Sequence, residues 1–456
     1  MMSHYRSEKC DGSFGNELVD AWRETRETCC REMYLPNSVD DLEPSSIKCH
    51  LIHQDGHHGD GDNLVNMRNV QLELDDFADR SVTTGVMERY KKTKHQDEAY
   101  IHLRRGSVKG TCSIVPSSWK SNYFPGWNDD WTTRAFQSVD ELQCDEWVEH
   151  PVLIVQRNTF ANLFHDSEDF VNAFLAMAIL RMAPGETQIF ITDLYPKGPF
   201  APMWDKVFGV GKPTLLAWDV GRLYAGKKVC FRDLTIGIYG PAAPTTLARI
   251  VTKCHHTALV RSYADFVIRG LGLQKETRYA SPPKRRVVVT WMARRSSVQW
   301  PERAYCSEDG ASSFFTCEYF DHLHTRELQR RVKNEQEVLH ALRMLETETF
   351  ANGAQVEVRD MDYNLLSFED QIKNDLDTDV MVGPHGAGLY HIIFTPDRAT
   401  LVELKIDNTA ERKHFVNLAY WSGHKYKEMG ASSNVEAKSV KALVADTISK
   451  MDLSQN

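Results

Sequence analysis

The stretch Val380-Met381-Val382-Gly383-Pro384-His385-Gly386-Ala387-Gly388-Leu389, answered by the apolar run Thr400-Leu401-Val402-Glu403-Leu404-Lys405, decides the fold class. Val380 to Val382 has no polar alternation, the mark of a strand buried on both faces of a parallel sheet. The small residues after it turn the chain into a short helix, and Thr400 to Lys405 returns as the next strand, which makes a β-α-β unit. Glycine and alanine let a diphosphate approach the backbone, and the N–H groups at the helix start favour that anion. Here Gly383, Gly386, Ala387, Gly388 and Leu389 would hold it. His385 can donate to a phosphate or leaving oxygen, and Glu403 can accept from ribose hydroxyls. The bland alternative is a tight turn that holds no ligand.

Working outward, the same alternation of strand and helix fills the region around this unit. Val287 to Trp291 reads as a strand, Asn334 to Glu346 as an amphipathic helix and Gln355 to Val358 as a strand. Ser367 to Leu376 reads as a helix with Ser367 as its cap. A Pro/Lys/Arg linker, Ser281 to Arg286, precedes this series. Upstream lies a second series, with strands at Val152 to Val155, Gln188 to Thr192, Lys228 to Phe231 and Leu234 to Tyr239. Helices are expected at Asn162 to Met182, Pro202 to Phe208 and Thr245 to Leu271, the last broken near His255-His256. These patterns predict four regions: an irregular N-terminal region 1–135, a Rossmann-like domain 136–280, a second Rossmann-like domain 285–430, and a C-terminal helix 431–456 that packs back on the first domain. Two such domains suggest a cleft, with ligands outside the carboxyl ends of the strands.

Bulk properties exclude several classes. The chain has 456 residues and a formal net charge of -9, which argues against a nucleic-acid partner, since that needs a basic face. No apolar run reaches the roughly 18 residues of a membrane span, and the N-terminus shows no signal-like apolar segment. Membrane attachment would need an anchor outside this chain. The ten cysteines form no Cys-x2-Cys metal pattern and suit either buried thiols or long-range disulfides. No Asn-x-Ser/Thr acceptor is present. The His- and Asp-rich text at 53–62 reads as a solvated loop rather than a metal site.

Other residues carry candidate chemistry. Arg294 and Arg295 follow the strand ending at Trp291, at the same sheet edge as the glycine loop, where guanidinium groups would neutralise a diphosphate. Arg331, just before the helix at Asn334, could reach the same phosphates. His165 and Asp169 stand at i, i+4 and would project from one helical face, as a base for an acceptor hydroxyl. Capping by Asn162 and Asp166 explains that segment equally well. Asp360-Met361-Asp362 and Asp375-Leu376-Asp377 compete as metal-holding triplets, and neither stands out.

Cys144-Asp145-Glu146-Trp147-Val148-Glu149-His150-Pro151, with Ala161 to His165 and Val229 to Arg232, resembles the core β-1,2-xylosyltransferase group of glycosyltransferase family 61. Gly383 to Leu389 with Tyr390-His391-Ile392, Arg294-Arg295, and Arg331 to Glu335 also resemble that family. The resemblance spans roughly residues 140 to 430. It implies a GT-B-like fold whose C-terminal domain holds a UDP-sugar, and inversion at the anomeric carbon without a required metal or other cofactor. It implies a glycan or glycoprotein acceptor, with UDP-xylose, UDP-N-acetylglucosamine or UDP-arabinofuranose as donor, xylose being favoured. Protein O-linked N-acetylglucosaminyl transfer is the alternative within the family, and an inactive sugar-nucleotide or glycan-binding module is another. It further implies the Golgi or endoplasmic reticulum lumen, a Cys144–Cys230 disulfide, and Asp169 as the base with His165 positioning the acceptor.

Overall fold

The computed structural model describes residues 10–32, 43–52, 62–93, 100–115, 131, 134–157, 159–160, 162–240, 243–246, 251–274, 286–295, 330–397, 399–406 and 409–453. The loop at 53–61 and the segment 296–329 lie outside them. The chain divides into two compact units. One comprises Met1–Gly15, Leu247–Glu302 and Asp321–Asn456, and the other Asn16–Thr246 and Arg303–Phe320. Both are α/β.

The first of these units is built on a five-stranded sheet with every pair parallel. Its strands lie in the order Gln355–Met361, Arg286–Met292, Val380–Pro384, Thr400–Ile406, Lys425–Ala431. Numbered along the chain this is 2-1-3-4-5. The connections therefore leave the first strand in one direction and return on the other side, which opens a crevice at the carboxyl ends of Arg286–Met292 and Val380–Pro384. Both faces of the sheet are covered, which is why the strands read as continuous apolar runs. Val287, Val289, Trp291, Val380, Val382, Val402 and Leu404 pack with Val338, Leu342, Val440, Val444 and Ile448 in one core. The C-terminal helix Ala437–Ser449 packs into this unit's own core through Val440, Val444 and Ile448. Its apolar stripe matches the Glu335–Arg343 helix at its side. Ser367 caps Phe368–Asp375 as expected, its side chain accepting from Asp370 N–H. The helix expected from Thr245 is shorter: a turn at Pro244–Thr246 and a separate helix, Ala258–Gly270. The strand Lys425–Ala431 was not foreseen, because Lys425, Lys427 and Glu428 hide an edge strand's alternation.

The second unit carries an eight-stranded mixed sheet, ordered Leu215–Leu216, Gln188–Ile191, Val152–Val155, Leu234–Ile236, Asp62–Arg68, Ser46–Ile52, Glu27–Glu32, Cys112–Ile114. The first four strands are parallel to one another, and the rest join antiparallel. A smaller sheet holds Phe136–Ser138, Val108–Gly110, Val70–Glu73, Lys228–Phe231 and Glu146–Val148. The region 1–135, expected to be irregular, therefore supplies the antiparallel half of the large sheet. Its strands are separated by long segments and joined to distant partners, which leaves little continuous α/β alternation for a window of sequence to detect. Disulfides Cys29–Cys49 and Cys30–Cys112 staple them, and Cys144–Cys230 ties the segment just before Glu146–Val148 to the strand Lys228–Phe231 of the smaller sheet. Cys10–Cys254 lies in the other unit. Every cysteine among the described residues is bridged.

Candidate active site

The glycine loop stands at the crevice of the all-parallel sheet. Strand pairing runs further than the sequence suggests, with Gly383 opposite Glu403 and Pro384 opposite Leu404, and His385 N–H donates to Leu404 O at 3.0 Å. The turn then opens at Gly386, and the tight helix Ala387–Phe394 begins. Ala387 and Gly388 are half-exposed, while Leu389 is buried in the core. The first N–H groups of such a helix have no carbonyl partner within it and point outward. Glycine is required by close approach. A Cβ on Gly383 would stand 2.8 Å from the Met292 Cβ, and one on Gly386 would stand 2.5 Å from Nη1 of Arg294.

Arg294 extends from the end of the neighbouring strand and lies on Gly386. Burial, then the nearby charge of Arg330, push its guanidinium pKa down to about 10. Arg330 also acts on His385. Two cations thus converge on one turn of backbone, an arrangement that a diphosphate would relieve. Arg331, the residue expected to do this, is exposed, and its neighbour Arg330 takes the place, held at φ 63 in the left-handed region. Arg295 is committed elsewhere. It bonds Glu335 at 2.5 Å and pairs with Asp360, and Trp291 Nε1 also donates to Glu335 at 2.7 Å. Arg295 therefore locks the strand end that carries Arg294.

His385 and Glu403 differ from the expected direct ligand contacts. His385 is 3% exposed and Glu403 0%. The His385 imidazole Nδ1 is hydrogen-bonded to Glu403. The Glu403 carboxylate also takes Lys405 Nζ at 3.1 Å and accepts from the Tyr426 hydroxyl at 2.6 Å. A buried carboxylate requires partners of this kind, which is why ribose hydroxyls are not its contacts here. Burial pushes the His385 pKa down against the opposing bond from Glu403. Burial raises the Glu403 carboxyl, but His385 and Lys405 together bring it below the usual range. At neutral pH the pair is a neutral imidazole on a carboxylate, and it fixes the orientation of the loop from beneath.

The acidic triplets are structural. Asp360 is paired with Arg295, and Asp377 with Arg286 and Arg359. Asp375 is fully buried, accepting from the Tyr363 hydroxyl at 2.5 Å and hydrogen-bonded to His391 Nδ1 at 2.5 Å. Among the described residues no group of three His, Cys, Asp or Glu side chains is arranged to hold a metal.

In the other unit, Val152–Val155 begins a parallel run whose chain order is 3-2-1-4 across the sheet, and Leu163–Leu180 starts just beyond its carboxyl end. His165 sits on the first turn with its side chain 40% exposed, and its Nδ1 lies 3.3 Å from Glu168. Asp169 is 2% exposed, and its charge acts on the buried Arg157. Asp166 is also buried, and its carboxylate accepts from Asn162 N–H at 2.7 Å, so the capping reading of this segment is realised through Asp166. Arg157 forms a bidentate pair with Asp193, Nε to Oδ2 at 3.0 Å and Nη2 to Oδ1 at 2.7 Å. Both follow the ends of neighbouring strands, the one sequence signal that could have found them. Burial pushes the Asp166 carboxyl up to about 7, against the opposing charge of Arg157.

A glycine turn and two guanidinium groups at the crevice of a parallel sheet define an α/β protein suited to a phosphorylated ligand. Residues 250–402, which enclose Arg294, Arg330 and the glycine loop, match the family described as Glycosyltransferase 61. The EGF domain-specific O-linked N-acetylglucosamine transferase of Bos taurus is 25% identical over 376 residues, 79% of this chain and 58% of that protein. The protein of the same name from Mus musculus is 26% identical over 357 residues, 74% of this chain and 57% of its own length. That from Drosophila melanogaster is 25% identical over 295 residues, 62% of this chain and 46% of that protein. The chain thus spans little more than half the length of the curated relatives it matches.

Proposed function

We propose that the chain moves a sugar from a nucleoside diphosphate sugar to a hydroxyl of a glycoprotein or glycan. The observation that carries this reading is Arg294 seated on Gly386, at the crevice of the 2-1-3-4-5 sheet and inside the family region. The N–H groups of Ala387 and Gly388, with Arg294 and Arg330, would take the diphosphate and stabilise the charge that grows as it leaves. Two fixed cations supply this charge, so the reading requires no divalent metal. The acceptor oxygen attacks the anomeric carbon, the bond to the β-phosphate oxygen breaks with its electron pair going to UDP, and the hydroxyl proton passes to a base. Inversion follows from that single displacement. His165 backed by Glu168 is the accessible base, while Asp169 is buried.

The transferred sugar is the open choice. The relatives are named as N-acetylglucosamine transferases, which favours UDP-N-acetylglucosamine and a protein hydroxyl. The Cys144 to Pro151 segment, bridged to Cys230, favours the xylosyl reading. The two α/β units are the parts from which a GT-B-like enzyme is made. Four disulfides suit an oxidising secretory lumen, and no described helix is long and apolar enough to cross a membrane. The test is transfer by the purified chain from UDP-N-acetylglucosamine and from UDP-xylose, to a folded EGF-like domain and to an N-glycan core, read by mass. A mass gain of one N-acetylhexosamine on the EGF-like domain selects the first reading and a pentose on the glycan selects the second. No transfer in any pair, from a chain that folds, would refute both.

A further inference from the structure

The unit that carries His165 has a second cavity, of about 630 Å³, whose chemistry the transfer reaction does not use. Its walls come from the strands Ser46–Ile52 and Asp62–Arg68, the end of the helix Leu163–Leu180, and the segment after the helix Asn16–Glu24. Five cations line it: Arg23, Arg26, Lys48, Arg68 and Arg181. Only Glu24 and Asp233 oppose them. This concentration of positive charge stands in a chain whose net charge is -9.

Only two of these cations are drawn into ion pairs with described residues. Arg23 pairs with Asp20 and donates to Ile179 O and Ala178 O at 2.9 Å each. Arg68 reaches Asp233 only at 3.7 Å. Arg26, Lys48 and Arg181 make no ion pair with any described residue. Asp233 accepts from Asn66 at 2.6 Å, and burial pushes its carboxyl up, which weakens the negative charge it offers. His50, 2% exposed, is hydrogen-bonded to Trp22 O. Its pKa is pushed down by burial, and the charges of Arg26 and Arg23 act in the same direction. Arg181 adopts φ 58, ψ 36 at the helix end, a left-handed conformation that is costly for an arginine. It holds that side chain at the cavity.

The position separates this cavity from the transfer chemistry. His165 opens the helix Leu163–Leu180, and the cavity lies at its other end. The helix has 18 residues, and at 1.5 Å per residue it spans roughly 27 Å. Lys48, Asn66 and Asp233 belong to the amino-terminal edge of Leu234–Ile236, opposite to the edge where ligands of parallel sheets are processed. Ile179, Leu180 and Met182 give one apolar wall.

We infer that this cavity binds a ligand bearing two or more oxyanion charges on a body of about disaccharide size, recognised by Arg26, Lys48, Arg68 and Arg181 together. A sulfated or uronic-acid sugar carries that chemistry, and so does a free phosphate or sulfate ion. The experiment distinguishes these sources. The full chain is titrated calorimetrically with a disulfated disaccharide, the same disaccharide without sulfate, and inorganic sulfate, each at 50 and 200 mM salt. The expected result is saturable binding of the disulfated sugar that weakens at least threefold at the higher salt, with inorganic sulfate weaker and the uncharged sugar absent. Arg26→Gln with Lys48→Gln should reduce that affinity at least tenfold, while UDP binding and the unfolding temperature stay near the parent's. Loss of UDP binding by the parent chain would strike the transferase reading and leave this one standing. Equal affinity for charged and uncharged sugars would overturn it, as would unchanged affinity in the double variant or binding of inorganic sulfate alone as tightly as the disaccharide.

Discussion

Nη1 of Arg294 occupies the space that a side chain at position 386 would fill: a Cβ built on Gly386 stands 2.5 Å from it. The glycine is thus defined by the arginine. The glycine's φ of 169 is extended backbone that any residue adopts, so the requirement is steric and not conformational. Gly386→Ala should therefore fold, because the displaced atom is the tip of a long side chain. It should nevertheless move the guanidinium away from the turn. The expected result is an unfolding temperature within a few degrees of the parent and UDP affinity reduced at least tenfold. Unchanged affinity would separate Arg294 from the loop's function.

Glu403→Gln tests the network under the loop. It removes the carboxylate from His385, Tyr426 and Lys405. Leaving Lys405 buried with its main partner gone should destabilise the chain by about 3–5 kcal/mol in urea unfolding. The parent should also lose stability on acidification. Burial holds the folded His385 pKa below the ordinary histidine value of 6.5, so the unfolded state takes the proton first and stability falls as pH drops below about that value. Glu403, also depressed, contributes a second loss as pH falls from about 4.5 toward its folded pKa.

Asp166→Asn should change the pH dependence in the opposite sense. Asp166 is raised from 3.8 to about 7 by burial. The folded state keeps the proton that the unfolded state has released, so stability is lost as pH rises through about 7. The uncharged amide lacks this loss. Comparing pH 5 with pH 8, the parent should lose on the order of 2 kcal/mol relative to the variant. Parallel profiles would show that Asp166 is ionised in the folded protein at both values.

His165 and Asp169 separate by exposure. His165→Ala should lower the rate of transfer at least a hundredfold with UDP affinity retained, as the loss of a general base does. Asp169→Asn should act first on the unfolding temperature, because its carboxylate is buried and its charge acts on the buried Arg157. A transfer rate untouched in His165→Ala and abolished in a well-folded Asp169→Asn would reverse these roles.

The Val380 strand, the loop after it and the helix boundaries around Ser367 were legible because buried parallel strands and caps are written in consecutive residues. The resemblance to glycosyltransferase family 61 was legible in the same way from Gly383 to Leu389, which lie inside the matched residues 250–402. What the sequence hid depends on direction in space. Arg330 and Arg331 are neighbours in sequence, yet only Arg330 acts on Arg294. Glu403 reads as a strand end in sequence, where a ligand contact is expected, but it stands in the middle of Thr400–Ile406 and is hydrogen-bonded to His385. Residues 27–114 were hidden because a mixed sheet of short strands gains its stability from pairing and from disulfides between distant segments, and neither leaves a periodic trace.

The central claim is that Arg294 and the turn at Gly386 to Gly388 hold the diphosphate of the donor. Calorimetric titration of UDP and of uridine into the parent chain and into Arg294→Ala tests it most directly. The account predicts that UDP binds the parent far more tightly than uridine, and that Arg294→Ala removes most of that difference with uridine affinity unchanged. Equal UDP affinity in parent and variant would contradict it.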